Sequence, residues 1–167
     1  MHMRGCRAVA VGLVALLAAG CSPGSGETGV QQGPYPVVRT VDGDTIRVMR
    51  DGQEIVVRLI GINTPETVAP DRPVECFGPE ASERTQQLVT GQKVWLEYDD
   101  VTGETDKYDR TLAYVWLTPD QMLNEELVRE GYAEERTYQE GYRHQDRLRD
   151  AQEAAEGAGA GLWSACP

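Results

Sequence analysis

Histidine is nearly missing from this sequence, which has only His2 and His144 among its 167 residues. So few imidazoles exclude the common histidine-based zinc sites and most catalytic mechanisms that rely on histidine. Long apolar runs are also missing beyond the N-terminus, which excludes a bundle of membrane-spanning helices. No G-X-Y period, heptad or polar repeat is present, so collagen, a coiled coil and wholesale disorder are excluded as well.

The composition that remains is that of a globular protein with an acidic charge. Apolar residues make up 40% and charged residues 26% of the chain, and 27 acids outnumber 16 basic residues to give a net charge of −11. A body of about 130 residues buries roughly two-thirds of its unfolded surface, so one self-folding domain is expected. The acidic balance argues against a general nucleic-acid surface, because phosphates attract basic proteins.

The N-terminus has the pattern of an export signal. Arg4 and Arg7 precede an apolar stretch at 8–19 that is too short to span a bilayer comfortably. The stretch ends in Ala18-Ala19-Gly20-Cys21, which resembles a bacterial lipobox, although leucine is commoner where Ala18 stands. We therefore predict a signal peptide at 1–20 and lipidation of Cys21; an ordinary secretory signal is the alternative. Its removal leaves 14 basic and 27 acidic residues, a net charge of −13.

Two further segments follow the signal. Residues 21–34 are rich in Gly, Ser and Gln and are predicted to be a flexible tether, which leaves 35–167 as the domain. Cys76 and Cys166 are the cysteines left in the domain, and an exported protein meets oxidising conditions. A Cys76–Cys166 disulfide is favoured, with free thiols or a metal-binding pair as the alternatives.

Alternating and β-branched residues predict five strands, the first beginning at Val37 because Pro36 lacks a backbone donor. Pro79 and the glycines near 91 and 131 mark the limits of helices. Three predicted strands precede the first helix and two follow it, which is the order of an OB-fold barrel. The fold class is therefore predicted as α+β, a five-stranded OB-fold barrel with about three flanking helices. The predicted strands are 37–41, 44–49, 54–62, 92–98 and 111–117, and the predicted helices are 78–90, 118–130 and 142–156.

Three polar clusters interrupt this pattern. Asp42-Gly43-Asp44-Thr45 offers two carboxylates at a turn, which suits Ca²⁺ but also suits a plain turn. The segment 58–67 carries Arg58 on an apolar strand face and then Asn63, Thr64 and Glu66 in a loop; a snorkelling arginine and a solvated acid are the alternatives. The segment 105–114 carries Lys107, Tyr108 and Arg110 just before a strand, which suits phosphate binding or a charged hairpin loop.

Taken together and in order, these clusters resemble the staphylococcal nuclease (thermonuclease) family. The resemblance covers about residues 36–165. It rests on VDGDT, VVRLIGINTPET, GPEAS, TDKYDRTLAYV, MLNEELVREGYA and LWS. It implies the OB-fold with flanking helices and Ca²⁺-dependent hydrolysis of phosphodiesters in DNA and RNA by a monomer. An exported nuclease, lipid-anchored to the outer face of the cytoplasmic membrane or secreted, is therefore expected.

The resemblance also implies roles for individual residues. Arg58, Glu66 and Arg110 match the catalytic groups, and Lys107 and Tyr108 match the pocket for the terminal phosphate. Asp44, Asn63 and the carbonyl of Thr64 match the metal ligands. A further aromatic of the pocket is less well matched, and Tyr138 is the nearest candidate.

Two positions depart from the family pattern. Asn63 stands where the best-known member of the family has an aspartate, which keeps an oxygen ligand but loses a charge. Asp109 stands where glycine is common, and its carboxylate is expected to pair partly with Arg110. Two other readings stay open: a non-catalytic OB-fold module that binds nucleic acid, and a surface scaffold with structural Ca²⁺. Retention of Arg58, Glu66 and Arg110 favours catalysis.

Overall fold

The computed structural model describes residues 29–67, 73–138 and 141–166. The predicted signal peptide at 1–20, the lipidation site Cys21 and most of the predicted tether lie outside the described residues. Within these ranges no helix has both the length and the apolar character needed to cross a membrane.

Seven strands and four helices make up the described chain. The strands are β1 (Gln32–Asp42), β2 (Thr45–Arg50), β3 (Gln53–Leu59), β4 (Ile62–Asn63), β5 (Lys93–Glu97), β6 (Thr111–Trp116) and β7 (Glu134–Glu135). The helices are α1 (Gly78–Val89), α2 (Leu123–Arg129), α3 (Gln145–Ala158) and α4 (Leu162–Ala165).

Five of these strands close a barrel in the order β1-β2-β3-β6-β5. Neighbouring strands are antiparallel except for β3 and β6, which run parallel, while β4 and β7 form a separate two-stranded sheet. Ile46, Val57, Leu96 and Tyr114 are fully buried inside the barrel and join one core with Leu127 of α2. The predicted OB-fold barrel, with one helix between its third and fourth strands, is confirmed.

The third strand is shorter than its apolar pattern predicts. It ends at Leu59, and Gly61 follows with a φ of 75°, a conformation in which a side chain is strained. A Cβ on Gly61 would also lie 2.6 Å from the ring of Tyr142. The chain therefore turns at Gly61 and begins β4 instead of extending β3 to Ile62.

The first strand is longer than predicted, because it begins at Gln32 rather than at Val37. Its register with β5 shifts between Gln32 and Tyr35, and such irregular pairing accommodates prolines, which lack a backbone donor. The strand therefore includes Gln32–Pro34, which the composition assigned to the tether.

The three predicted helices are present, but α2 begins at Leu123 rather than at 118–120, while the ends of the other two shift by up to three residues. Pro79 occupies the first turn of α1, and Gly131 follows α2 with a φ of 73°. Leu148, Ala151 and Ala155 of α3 are buried, as the thin apolar stripe of that helix predicts.

Cys76, just before α1, lies beside Cys166 at the C-terminal end of the domain. Their sulfur atoms are 2.05 Å apart and their Cα atoms 5.9 Å apart, across 90 residues of sequence. A bond here joins the loop that leads into α1 to the segment after α4.

A buried acid ties the barrel to the start of α3. Asp99 is 2% exposed and accepts hydrogen bonds from the Tyr114 hydroxyl at 2.7 Å and from the backbone nitrogens of Arg143 at 2.8 Å and Val101 at 2.9 Å. Burial by itself would raise the pKa of Asp99, but these hydrogen bonds outweigh it and hold that pKa below the ordinary 3.8. The charged form of Asp99 therefore stabilises the fold.

Acid is expected to remove this stabilisation. Because the pKa of Asp99 is lower in the folded state than in the unfolded state, ionised Asp99 stabilises the fold at pH values above the unfolded pKa of about 3.8. This stabilisation is lost as the pH falls through the pKa of the folded state. Asp99→Asn should lower the free energy of unfolding at pH 7 by about 1.5–3 kcal/mol. Below pH 4, the free energy of unfolding of this variant should fall less steeply with pH than that of the wild type. Urea unfolding across pH measures both effects. Asp100→Asn, at a side chain 70% exposed, is the control; equal acid sensitivity of Asp99→Asn and the wild type would contradict the assignment.

Candidate functional site

The parallel pairing of β3 with β6 brings two distant arginines together. Arg58 of β3 pairs with Leu112 of β6, and Arg110 immediately precedes β6. Both side chains line the same two adjoining clefts. The barrel topology therefore places Arg58 and Arg110 at one site, although 52 positions separate them in the sequence.

The first of these clefts, the acidic cleft, has a volume of about 320 Å³. It carries four carboxylates besides its arginines, so it is the part of the site where oxygen ligands collect. Its charged and polar lining residues are Asp42, Asp44, Thr45, Arg47, Arg58, Asn63, Thr64, Glu66, Glu75 and Arg110.

Arg58 is a buried cation, 7% exposed, held by oxygens on several sides. Its guanidinium donates to the carbonyls of Leu59 at 2.7 Å and Ile62 at 2.9 Å. It also forms an ion pair with Asp44 at 2.9 Å. This environment is not that of a snorkelling arginine, and it fixes the guanidinium against the wall of the acidic cleft.

Asp44 lies at the turn between β1 and β2, close to the segment that follows β4. Besides pairing with Arg58, its carboxylate accepts the hydroxyl of Thr45 at 3.0 Å and the backbone nitrogen of Thr64 at 3.2 Å. Gly43 makes this approach possible, because a Cβ there would lie 2.7 Å from the hydroxyl of Thr64. The turn therefore needs its glycine to bring Asp44 against Thr64.

Asn63 and Thr64 both line the acidic cleft. The amide nitrogen of Asn63 donates to the carbonyl of Thr64 at 3.2 Å, and its amide oxygen accepts from the Tyr138 hydroxyl at 3.3 Å. That hydroxyl also accepts from Arg58 at 3.3 Å. Tyr138, 65% exposed, thus connects the predicted ligand Asn63 with the predicted catalytic Arg58.

The loop that carries Glu66 is closed by a second glutamate that sequence reasoning missed. The backbone nitrogen of Glu66 donates to the carboxylate of Glu75 at 2.9 Å, and the nitrogen of Glu75 donates to the carbonyl of Glu66 at 2.9 Å. Glu75 precedes Cys76, so the Cys76–Cys166 link adjoins this closure. The neighbouring cysteine was the one sequence signal that the Glu75 position is fixed.

Asp42 ties the other side of the Glu66 loop to the barrel. Its carboxylate accepts from the hydroxyl of Thr67 at 2.6 Å, while the nitrogen of Thr67 donates to Glu66 at 3.0 Å. Burial raises the pKa of Asp42, although the hydrogen bond from Thr67 opposes that rise. The carboxylates of Asp42 and Glu66 are therefore joined through Thr67.

Arg110 is oriented by Asp106. The two side chains form an ion pair at 2.6 Å, and Asp106 also accepts the backbone nitrogens of Tyr108 at 2.9 Å and Arg110 at 3.0 Å. Burial alone would raise the pKa of Asp106, but the hydrogen bonds from Arg110 and the backbone hold it below the usual range. The partner expected for Arg110 was Asp109, and this was wrong. Asp109 has a φ of 61° and serves the turn itself.

The second cleft, the cationic cleft, adjoins the first and has a volume of about 670 Å³. Four cations and one carboxylate line it, and that carboxylate, Asp106, is paired with Arg110. The side chains of Lys107 and Arg110 lie over the ring of Tyr108, at 4.9 and 5.4 Å from its centroid. Lys107 and Tyr108 thus line the same cleft as both arginines. Arg136, which also lines this cleft, was not predicted.

The donor set of the acidic cleft fits a hard divalent cation. Asp44 supplies a carboxylate, Asn63 an amide oxygen and Thr64 a backbone carbonyl, and oxygen ligands are what Ca²⁺ prefers. The hydroxyl of Thr64 is buried without a hydrogen-bond partner within the described ranges. Those ranges hold no group of three or more His, Cys, Asp or Glu side chains able to bind a metal.

Comparison with known proteins agrees with this geometry. The family model described as "Staphylococcal nuclease homologue" matches residues 56–165. The chain is 45% identical over 140 residues to a thermonuclease of Staphylococcus hyicus, which covers 84% of this chain and 81% of that protein. It is 44% identical over 136 residues to a thermonuclease of Staphylococcus intermedius, covering 81% and 79%. It is 35% identical over 127 residues to endonuclease YncB of Bacillus subtilis, covering 75% and 59%.

Proposed function

Because the chain belongs to the staphylococcal nuclease family, we propose that it is a Ca²⁺-dependent nuclease that hydrolyses phosphodiester bonds of DNA and RNA as a monomer. Thermonucleases and an endonuclease among its relatives make the chain a nuclease, a hydrolase of phosphodiester bonds. The choice of cation, the residue roles, the monomeric state and the location outside the cytoplasm are the proposal's finer parts.

One observation carries the proposal: two arginines, a glutamate and a set of oxygen donors meet where the acidic and cationic clefts join. Arg58 and Arg110 line both clefts, whereas Asp44, Asn63 and Glu66 line the acidic cleft alone. A phosphodiester bound at this junction meets cations on one side and carboxylates on the other. This asymmetry suits hydrolysis, in which the phosphate gains negative charge while the attacking water loses a proton.

The arginines are suited to the charge that develops on the phosphate. A guanidinium keeps its charge and binds two oxygens with a planar pair of donors. Arg58 and Arg110 are held by Asp44 and Asp106, so their positions are set before substrate arrives. Preorganised charge of this kind stabilises a transition state without reorganisation during the reaction.

We assign to Glu66 the role of accepting the proton of the attacking water or of orienting that water. Its loop is fixed at both ends, by Glu75 at its backbone and by Thr67 at its carboxylate. A carboxylate so held accepts a proton from a bound water or orients that water toward phosphorus. His144 takes no part, because it lies against Glu97 at 3.1 Å and lines neither cleft.

Asp44, Asn63 and the Thr64 carbonyl are assigned to hold Ca²⁺. A bound Ca²⁺ supplies positive charge to the phosphate oxygens and lowers the pKa of a bound water. With Asn63 in place of an acid, Asp44 supplies the one carboxylate of this set. Weak Ca²⁺ binding is therefore expected for this chain.

Restoring the acid at position 63 is expected to tighten Ca²⁺ binding. Asn63→Asp adds a charged oxygen ligand and should lower the Ca²⁺ concentration for half-maximal DNA cleavage about tenfold. The hydroxyl of Tyr138, 3.3 Å from the amide oxygen now, is able to donate to the new carboxylate. The measurement is a Ca²⁺ titration of cleavage at fixed ionic strength. Gln53→Glu, which adds the same charge on an exposed hairpin, is the control; an unmoved midpoint in Asn63→Asp would remove Asn63 from the ligand set.

The rival function is a non-catalytic OB-fold module that binds nucleic acid. Both functions predict binding at the cationic cleft, so binding does not separate them. An in-gel nuclease assay with EDTA, and with Ca²⁺ restored, does separate them. Clearing that depends on Ca²⁺ supports the nuclease, and retention of nucleic acid without any cleavage supports the binding module.

Export and anchoring are the part of the proposal that concerns location. It is supported by the predicted signal peptide at 1–20 and by the lipobox-like junction at Cys21. The protein is proposed to be lipid-anchored to the outer face of the cytoplasmic membrane, with secretion as the alternative. Membrane fractionation of Cys21→Ser tests the anchor: release into the soluble fraction supports it, and an unchanged membrane fraction contradicts it.

A further inference from the structure

The charge of the molecule and the charge of the cationic cleft have opposite signs. The chain has a net charge of −11, and the span 120–156 alone holds eleven acids against five arginines. The cationic cleft is nevertheless lined by Arg58, Lys107, Arg110 and Arg136 against the single acid Asp106. A polyanion is therefore attracted to this cleft and repelled by much of the remaining surface.

Arg136 occupies a fixed place in that cleft. Its backbone nitrogen donates to the carbonyl of Gly61 at 2.8 Å, and the strand β7 just before it pairs with β4 through Ile62 and Glu135. The backbone of Arg136 therefore lies beside the segment that leads to Asn63. Because this anchoring uses only main-chain atoms, the side chain is available to the cleft.

The guanidinium of Arg136 is not neutralised by the acids that precede it. The carboxylate of Glu135 accepts the hydroxyls of Tyr142 and Thr137, both at 2.7 Å. Across the ranges that the structure describes, Arg136 takes part in no ion pair. Its guanidinium lies 5.9 Å from the ring centroid of Tyr138, on the side of the cleft that Tyr138 lines.

Two separate segments thus each place a cation over an exposed tyrosine in the cleft. Lys107 lies over Tyr108 in the loop before β6, and Arg136 lies over Tyr138 after β7. Arg58 and Arg110 lie at the junction with the acidic cleft, whereas Lys107 and Arg136 line the cationic cleft alone. A volume of about 670 Å³ exceeds what a lone phosphate group requires and is within the range of ligand pockets.

We propose that Arg136 binds a backbone phosphate next to the one that is cleaved, as a substrate-binding residue that sets affinity for nucleic-acid chains. This inference rests on the proposed nuclease function. Arg136 lines no part of the acidic cleft. It therefore contributes to binding of the nucleic acid and not to the chemical step. A phosphate contact of this kind displaces counterions and makes binding depend on salt.

The test compares Arg136→Gln with the wild type on a labelled single-stranded oligonucleotide at several salt concentrations with saturating Ca²⁺. The KM of Arg136→Gln is expected to rise about three- to tenfold while kcat stays within twofold, since an exposed charged contact of about 1 kcal/mol is lost. The slope of log KM against log salt should shrink by about 0.7–1. Arg136→Lys should keep most of the wild-type affinity, because it keeps the charge.

Lys93→Gln is the matched control, since it removes one exposed cation that lines neither cleft. If the wild type cleaves and Arg136→Gln has the wild-type KM and salt slope, the inference is overturned and the proposed function stands. If the wild type does not cleave, the proposed function fails. Binding of the oligonucleotide by fluorescence anisotropy then tests Arg136 by itself: weaker binding by Arg136→Gln supports the contact, and equal binding overturns it.

Discussion

Replacing Arg110 with glutamine is expected to lower kcat for phosphodiester cleavage by about 10²–10⁵-fold, the range for loss of a preorganised charge in phosphoryl transfer. Arg110 lines both clefts, and the proposed function places the reacting phosphate where they join. The fold should persist, because Asp106 still accepts the backbone nitrogens of Tyr108 and residue 110 and keeps the loop in place. Single-turnover cleavage measures the chemical step, and far-ultraviolet circular dichroism confirms the fold.

Arg129→Gln is the matched control for this variant. Arg129 is also partly exposed and ion-paired with glutamates, but it lies on α2 and lines neither cleft. Its loss should leave kcat within a fewfold of the wild type. A folded Arg110→Gln protein that retains activity within a fewfold of the wild type would contradict the role assigned to Arg110.

Arg58 needs a gentler substitution than alanine. It is buried against Asp44, and removal of one partner of a buried ion pair typically costs about 3–5 kcal/mol of stability. A large loss of activity in Arg58→Ala would therefore mix catalysis with unfolding. Arg58→Lys keeps the charge near Asp44 and removes the planar pair of donors, so a large fall in kcat in this variant reports on catalysis.

Replacing both Cys76 and Cys166 with serine is expected to lower the free energy of unfolding by about 4–5 kcal/mol, an upper value for a loop of 90 residues. For a domain of this size such a loss corresponds to a fall in Tm of roughly 10–20 °C. The reason is entropic, since the unlinked chain gains freedom in the unfolded state. Thermal unfolding of the double variant and of the wild type measures the difference.

Thiol counting provides the independent check. Protein that lacks residues 1–20 and carries Cys21→Ser should show no free thiol when it is denatured without reductant, and two after reduction. Two free thiols before reduction would mean that Cys76 and Cys166 are not bonded. Because Glu75 precedes Cys76 and holds the Glu66 loop, the double variant should also lose activity at a lower temperature than the wild type.

The barrel was predictable because its strands alternate regularly and its helices begin and end at prolines and glycines. The end of β3 was not predictable from the apolar run at 59–62, because the chain turns at Gly61 where Tyr142, distant in sequence, packs closely and donates to the carbonyl of Gly61. The start of β1 at Gln32 was missed for a related reason. Pairing with β5 overrides the local preference of a Gly- and Pro-rich segment.

The site could be assembled from sequence only where local motifs carry it. Asp44, Arg58, Glu66 and Arg110 each belong to a recognisable segment, and the structure places all four around the acidic cleft. Glu75 fixes the backbone of Glu66, and Asp106 orients the side chain of Arg110. Both contacts depend on side-chain geometry, which no periodic pattern in the sequence reveals. Arg136 was missed because it stands among glutamates, and only the pairing of β7 with β4 places it in the cationic cleft.

The central claim is that phosphodiester hydrolysis by this protein requires a Ca²⁺ ion bound by Asp44, together with Arg58, Arg110 and Glu66. Single-turnover cleavage of a labelled oligonucleotide over a Ca²⁺ titration, by the wild type and by Asp44→Asn, tests it most directly. The account predicts cleavage by the wild type that EDTA abolishes and Ca²⁺ restores, and little or no Ca²⁺-dependent cleavage by folded Asp44→Asn. Cleavage by the wild type that persists in EDTA, or an Asp44→Asn protein with the wild-type rate and Ca²⁺ midpoint, would contradict it.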